Sequence, residues 1–265
     1  SAGPGGFVVP ALPSPAPSST STRASSIPGL PRPRGHPLRP GSAKEDMVRN
    51  YVSDRMLHIS RRFIKKRDGK YEGLEMSDDV VGYKSISELC KDAEGVINII
   101  WKSGTPGLQI PLLLNIAGEF DGWVNAFPPS PSATFSLLRK LDHCFASLLS
   151  GQDIETKETL PGFENGLRKG MSRTDMVRCK SIVEQTRVTI VEVMTKEPEQ
   201  EEDMEDDMDA DEPLTADETE PESGPEGLAD RSRNNWGEDD DDDFYMDVAR
   251  VYEHTLVKLG ETLGE

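Results

Sequence analysis

The chain has 265 residues and a net charge of −18, with 29% charged and only 6% aromatic side chains. That length allows one or two domains, but the charge is too unevenly placed to belong to one surface. Residues 1–70 hold 13 basic and 4 acidic side chains, whereas residues 197–243 hold 23 acidic and 2 basic ones, which excludes a uniformly acidic protein and points to contacts made through separate charged regions.

In chain order, residues 1–42 contain ten prolines and a run of serines. Too few large apolar side chains are present to offset the entropy of ordering, so this segment reads as a disordered, basic Pro/Ser arm. The first 44 residues lack any acid, as mitochondrial transit peptides do, but ten prolines oppose the amphipathic helix of such a peptide. Ser42-Ala43-Lys44-Glu45 is a capping box, and Val48, Val52, Met56, Ile59 and Phe63 then repeat at helical spacing. This first helix is expected to end near Asp68-Gly69. Ser85-Ile86-Ser87-Glu88 is a second capping box, followed by the stripe Ile86, Leu89, Ala93, Val96, Ile97, Ile100 and Trp101.

Ser103 to Gly107 breaks that helix. Leu108 to Phe127 is apolar nearly all round, which predicts burial inside a bundle, with Pro111 in the first turn. Pro128, Pro129 and Pro131 make a rigid corner. Ser132 is expected to cap the next helix, through Phe135, Leu138, Leu141, Cys144, Phe145 and Leu148 to Gly151. After an irregular loop, Ser172-Arg173-Thr174-Asp175 opens a fifth helix bearing Met176, Cys179, Val183, Thr186, Ile190 and Val193.

Residues 197–243 read as a disordered acidic tract. In it Thr215, Thr219 and Ser223 each precede a glutamate by three residues, a pattern acidophilic kinases favour. Residues 244–265 predict an amphipathic helix with the partner stripe Tyr245, Val248, Tyr252, Leu256, Leu259 and Leu263. Alone in water such a helix is marginal. A tract of this length reaches roughly 35–40 Å, so docking back onto the chain's own bundle is expected ahead of docking on another protein. No period-2 strand run occurs. The expected fold is all-α, a single helical bundle of about six helices, divided into residues 1–42, 43–196, 197–243 and 244–265.

Catalytic chemistry is sparse. Cys90, Cys144 and Cys179 stand far apart with no CxxC pair, which argues against a disulfide framework or structural zinc and suits a reducing compartment. Asp239 to Asp243 lack the calcium-loop pattern. Gly104-Thr105-Pro106-Gly107 lacks the Lys-Ser/Thr pair of a phosphate loop. His36, His58, His143 and His254 are scattered, and no nucleophile motif occurs. These residues predict a protein that is not an enzyme, with no cofactor and no metal. The most apolar run, Ile110 to Ala117, is too short to span a bilayer, so no membrane partner is expected.

The basic cluster Arg61, Arg62, Lys65, Lys66 and Arg67 has two readings. It is a solvated face favoured by the helix dipole, or a polyanion or nuclear-import contact. No motif supports base-specific readout. The stretch GYKSISELCKDAEGVINIIWKSGTPGLQIPLLLNIAGEFDGWVNAFPPSPSATFSLLRKLDHCFASLLSG resembles the core of a family of helical fungal proteins, some carrying meiotic-recombination labels. That resemblance implies a nuclear location but no recombinase mechanism, since no phosphate-binding loop is present.

The sequence thus predicts a non-enzymatic helical adaptor or subunit of a nuclear multi-protein assembly. Its partners would be other proteins of that assembly, with weak nucleic-acid contact through the basic cluster. The alternative is an acidic chaperone for a basic client, such as a histone or ribosomal protein. The expected location is the nucleus, with the cytoplasm as the alternative.

Overall fold

The structure, a computed structural model, describes residues 29–67, 80–195 and 238–264. Seven helices are described: α1 (Ala43–Arg67), α2 (Ile86–Lys102), α3 (Pro106–Val124), α4 (Pro131–Ser150), α5 (Arg173–Thr195), α6 (Glu238–Ala249) and α7 (Glu253–Leu263), with a 3₁₀ turn at Leu167–Lys169. Among the described residues there is no strand, and an isolated bridge joins Gln152 to Thr159. The all-α expectation holds.

Local start signals act where the sequence places them. The Glu45 N–H donates to Ser42 Oγ at 3.3 Å, and the Glu45 carboxylate accepts from the Gly41 N–H at 2.6 Å. Glu88 N–H reaches Ser85 Oγ at 3.4 Å. Ser172 and Asp175 cap reciprocally, at 3.0 and 3.2 Å. Helix α4 differs from expectation: its N-cap is Ser130 instead of Ser132. Pro131 takes the first helical position, where a missing N–H leaves no bond unmade. Gly151 ends α4 at φ 70°. A Cβ there would lie 2.8 Å from Leu167 and 2.9 Å from Phe163, so both backbone and space require glycine.

Helix α2 packs on α1, α3 and α4, while α4 packs on α2, α3 and α7, and α5 on α3, α6 and α7. Helix α3 is buried on most of its surface, leaving a solvent stripe that includes Gly107, Pro111, Asn115, Gly118 and Gly122. Helix α4 is buried further, although its sequence is more polar. Lys140, Asp142, His143 and Ser147 all lie in the interior. Each has a partner: Lys140 Nζ meets Glu94 at 2.6 Å, His143 Nε2 meets Asp153 at 3.0 Å, and Ser147 Oγ accepts from the Ile154 N–H at 3.1 Å. Paired polar groups of this kind avoid the desolvation cost that would otherwise keep them at the surface.

Two expected boundaries shift. Residues 29–42 fall in the expected Pro/Ser arm, yet Leu30 and Leu38 are buried in the body. The Arg34 N–H donates to Lys102 O (3.3 Å) and the Leu38 N–H to Thr105 Oγ1 (2.9 Å), strapping this segment across the α2–α3 turn. Helix α6 begins at Glu238, so Asp239 to Asp243 fall inside its first turns. The expected last helix is two helices, α6 and α7. Residues 1–28 and 196–237, with Thr215, Thr219 and Ser223, lie outside the described residues.

Candidate interaction site

The α6–α7 elbow is the most closely tied polar feature of the body. Tyr252 sits at φ 56°, a left-handed conformation uncommon for a residue with a Cβ. It occupies the N-cap position of α7, and its side chain makes no cap bond there. Asp142 of α4, more than a hundred residues upstream, supplies the cap. Its Oδ1 accepts from the Thr255 N–H at 2.8 Å and the Thr255 hydroxyl at 2.6 Å. Its Oδ2 accepts from the His254 N–H at 3.3 Å and meets His254 Nδ1 at 2.8 Å. The other side of the elbow ends α6, and there Arg187 of α5 donates to the carbonyls of Ala249 (3.2 Å) and Val251 (2.6 Å). An anion thus meets the N-terminus of one helix and a cation the C-terminal carbonyls of the other, the favourable sign at each dipole end.

Aromatic packing fixes the elbow. The Tyr252 ring is buried 6.2 Å from Phe145, and Phe244 meets Phe135 edge-on at 6.1 Å. Burial pushes the Tyr252 phenol well above its ordinary value, and its hydroxyl has no hydrogen-bond partner. A cavity of about 420 Å³ opens beside the elbow, lined in part by Phe135, Arg139, Asp142, Asp247 and His254.

The predicted stripe maps onto this elbow unevenly. Tyr252 and Leu259 are buried, and Val248, Leu256 and Leu263 are half-buried. Tyr245 is exposed, and Phe244 takes its place against the body. Thr255, which lies at the same helical spacing, is buried, and so is Val251, which does not share that spacing. The left-handed residue resets the helical phase, so one continuous stripe cannot cover both helices.

The basic cluster is divided by the fold. Arg62 bridges Glu88 and Asp92, each at 3.1 Å, and stacks 3.9 Å above the Tyr83 ring. Lys66 donates to Ala126 O at 2.6 Å and lies over Phe127. Arg61 is exposed and Lys65 half-buried on the outer side, while the Arg67 side chain lies outside the described residues.

Nucleophilic chemistry has no support here. Burial pushes the Cys90 and Cys179 thiols up to about 12, and Cys144 well above its ordinary value. Activated thiols shift the other way. His143 Nε2 is held by Asp153, and Cys144 neighbours it in sequence alone. Among the described residues no group of three His, Cys, Asp or Glu side chains could hold a metal ion. No described helix is long and apolar enough to cross a membrane.

The residues that build the elbow, Asp142, Arg187 and Thr255, carried no motif. The one trace, for Asp142, is an acid set among the apolar residues Leu138, Leu141 and Phe145.

Comparison with known proteins supplies the lineage. The chain is 25% identical over 218 residues to the general transcription and DNA repair factor IIH subunit TFB6 of Saccharomyces cerevisiae, an alignment covering 66% of this chain and 61% of that relative. It therefore spans about three fifths of that protein's length. No solved structure matches. The resemblance to fungal proteins with meiotic-recombination labels is corrected by these findings. The recognised stretch is real, but its family is a transcription-factor one. A subunit of a general transcription and DNA repair factor agrees with the expected nuclear location and with the expectation of a subunit among other proteins. The matching family model covers residues 82–260, more than half of the chain, and the chain belongs to that family, TFB6, described as subunit 11 of the general transcription factor TFIIH.

Proposed function

We propose that this chain is a non-catalytic helical subunit of a TFIIH-type assembly for transcription and DNA repair. One observation carries the reading: the matched residues, 82–260, run from the start of α2 into α7 and so coincide with the packed body and its elbow. The body offers buried thiols and paired carboxylates instead of an activated nucleophile, which favours a role in holding partners. Copurification tests the proposal. The tagged full chain should return stoichiometric subunits of transcription factor IIH from nuclear extract, and should still do so when residues 197–237 are replaced by a neutral linker. Recovery of histones or ribosomal proteins alone, lost on that replacement, would assign the chain to the acidic-chaperone class.

A further inference from the structure

Helix α1 uses only one of its faces in the body. Val52 and Ile59 are buried against α2, with Val48, Met56 and Phe63 partly buried beside them. Away from that face four large apolar side chains lie in solvent, Met47 (70% exposed), Tyr51 (44%), Leu57 (49%) and Ile64 (43%). Leu57 and Ile64 point opposite Ile59, while Met47 and Tyr51 sit about a quarter turn or more round the helix from them. Leu57 and Ile64 stand two turns apart on one stripe, with Arg61 between them. Leu57 and Ile64 lie about 10 Å apart along the axis. Isolated exposed apolar residues need no account, but two stacked on one stripe beside unpaired cations make a surface that a partner can cover.

Charge narrows the partner. No acidic residue occurs from Arg55 to Arg67. The fold sorts the cations of this stretch by direction. Arg55, Arg62 and Lys66 point inward and are engaged by Asp92, Glu88 and Ala126 O. Arg61 and Lys65 form no ion pair with any described residue, and both lie to one side of the Leu57–Ile64 stripe, Arg61 beside it and Lys65 about a quarter turn round. A phosphate backbone is held by several cations with no need of apolar neighbours. Here few cations are left, and they border an apolar stripe. That combination matches an amphipathic helix packed side by side on α1, with apolar anchors and a charged rim.

We propose that the outer face of α1 is a docking surface for an acidic amphipathic helix of another protein. Its apolar side chains lie on Leu57 and Ile64, and its carboxylates pair with Arg61 and Lys65. This goes beyond assembly membership, because α1 precedes the residues that match the family. The chain's own acidic tract is a poorer occupant. Between residues 197 and 227 its large apolar side chains are only Met204, Met208 and Leu214, the last behind Pro213, so it has little to lay on Leu57 and Ile64.

The test titrates the full chain against four fluorescent probes in low salt. They are a 20-residue helical peptide of glutamate with leucine at every third and fourth position, a polyglutamate of equal charge, a duplex DNA of twenty base pairs, and a peptide of residues 201–214. The leucine-bearing peptide should bind about tenfold more tightly than polyglutamate, and Leu57→Ser with Ile64→Ser should remove that advantage. Arg61→Glu with Lys65→Glu should weaken it by a similar factor, and more so at low salt than at high salt. Leu57, Arg61 and Ile64 are exposed and Lys65 is half-buried with no ion pair, so both variants should keep the far-UV circular dichroism and melting temperature of the parent. Equal binding of polyglutamate or tighter binding of DNA would overturn the proposal in favour of a polyanion site. Tightest binding of the 201–214 peptide would overturn it in favour of the chain's own tract. Failure to bind any probe, or binding indifferent to both variants, would also overturn it. Copurification of transcription factor IIH subunits with the α1 variants is read separately, so loss of peptide binding alone leaves the proposed function standing.

Discussion

Asp153 shows what a single side chain does in this fold. Its carboxylate accepts from His143 Nε2 at 3.0 Å, from the Glu155 N–H at 3.0 Å and from the Thr156 N–H at 2.9 Å. Burial would raise the carboxyl, but the His143 bond and the two backbone N–H bonds outweigh it and hold the group well below the usual carboxylate range. A carboxyl depressed in the folded state stabilises the fold above its unfolded value, about 3.9. That contribution is lost as pH falls through the folded value. Urea midpoints of the parent and Asp153→Asn should therefore differ most near neutral pH, and the difference should shrink below about pH 4. A gap that stays constant down to pH 3 would show that the carboxylate is not held low. Nothing in the residue order marks this pair. His143 looks like any histidine of a helix, and Asp153 sits in a loop whose path is set by its neighbours.

Helix starts were legible one by one, because a cap is a contract between residues three apart. Ser42, Ser85 and Ser172 cap as their spacing implies. The break between α6 and α7 was not legible. Arg250-Val251-Tyr252 holds no glycine, no proline and no Ser/Asp cap, so local chemistry favours one uninterrupted helix. The cap comes from Asp142 on another helix. Asp142→Ala should leave the His254 and Thr255 N–H groups without acceptors, and the buried Thr255 hydroxyl with only the backbone carbonyl of residue 142 at 3.2 Å. The expected cost is about 2–3 kcal/mol in chemical denaturation. Asp142→Asn, which keeps one carbonyl oxygen as acceptor, should lose roughly half as much. Hydrogen exchange should rise first in residues 253–263. Amides there that keep full protection in Asp142→Ala would rule out the clamp.

At the scale of the molecule, α7 closes the bundle over α4 and α5. Val251, Tyr252 and Leu259 are buried by it. Losing three such side chains should destabilise the body by about 5 kcal/mol, a fall in melting temperature of roughly 10–20 °C for a body of this size. A chain ending at residue 237 should show that fall and bind a hydrophobic dye at the uncovered Phe135 and Phe145. A separate peptide of residues 238–265 should reverse both effects, since the elbow is held by non-covalent contacts alone. An unchanged melting temperature on truncation would mean that the elbow adds nothing to the fold. The boundary at 42 misleads for a related reason. Proline-rich sequence argues against helix, but Leu30 and Leu38 find an apolar surface at the α2–α3 turn that only the assembled body offers.

The amino-acid order by itself determined the helix class, the first five helices with the caps of α1, α2 and α5, and the separation of charge. Each of these follows from spacing within a few turns: apolar periodicity, Ser–x–x–Glu caps and proline at a first turn. It also made a subunit role a better reading than an enzyme, through the absence of catalytic patterns. Tertiary structure alone decided that α4 is the buried polar hub, that Arg62 and Lys66 serve the body while Arg61 and Lys65 face out, and that the last helix bends at Tyr252. The physical reason is common to all three. A polar or charged side chain is placed by the partner it finds, and here those partners lie tens to more than a hundred residues away along the chain.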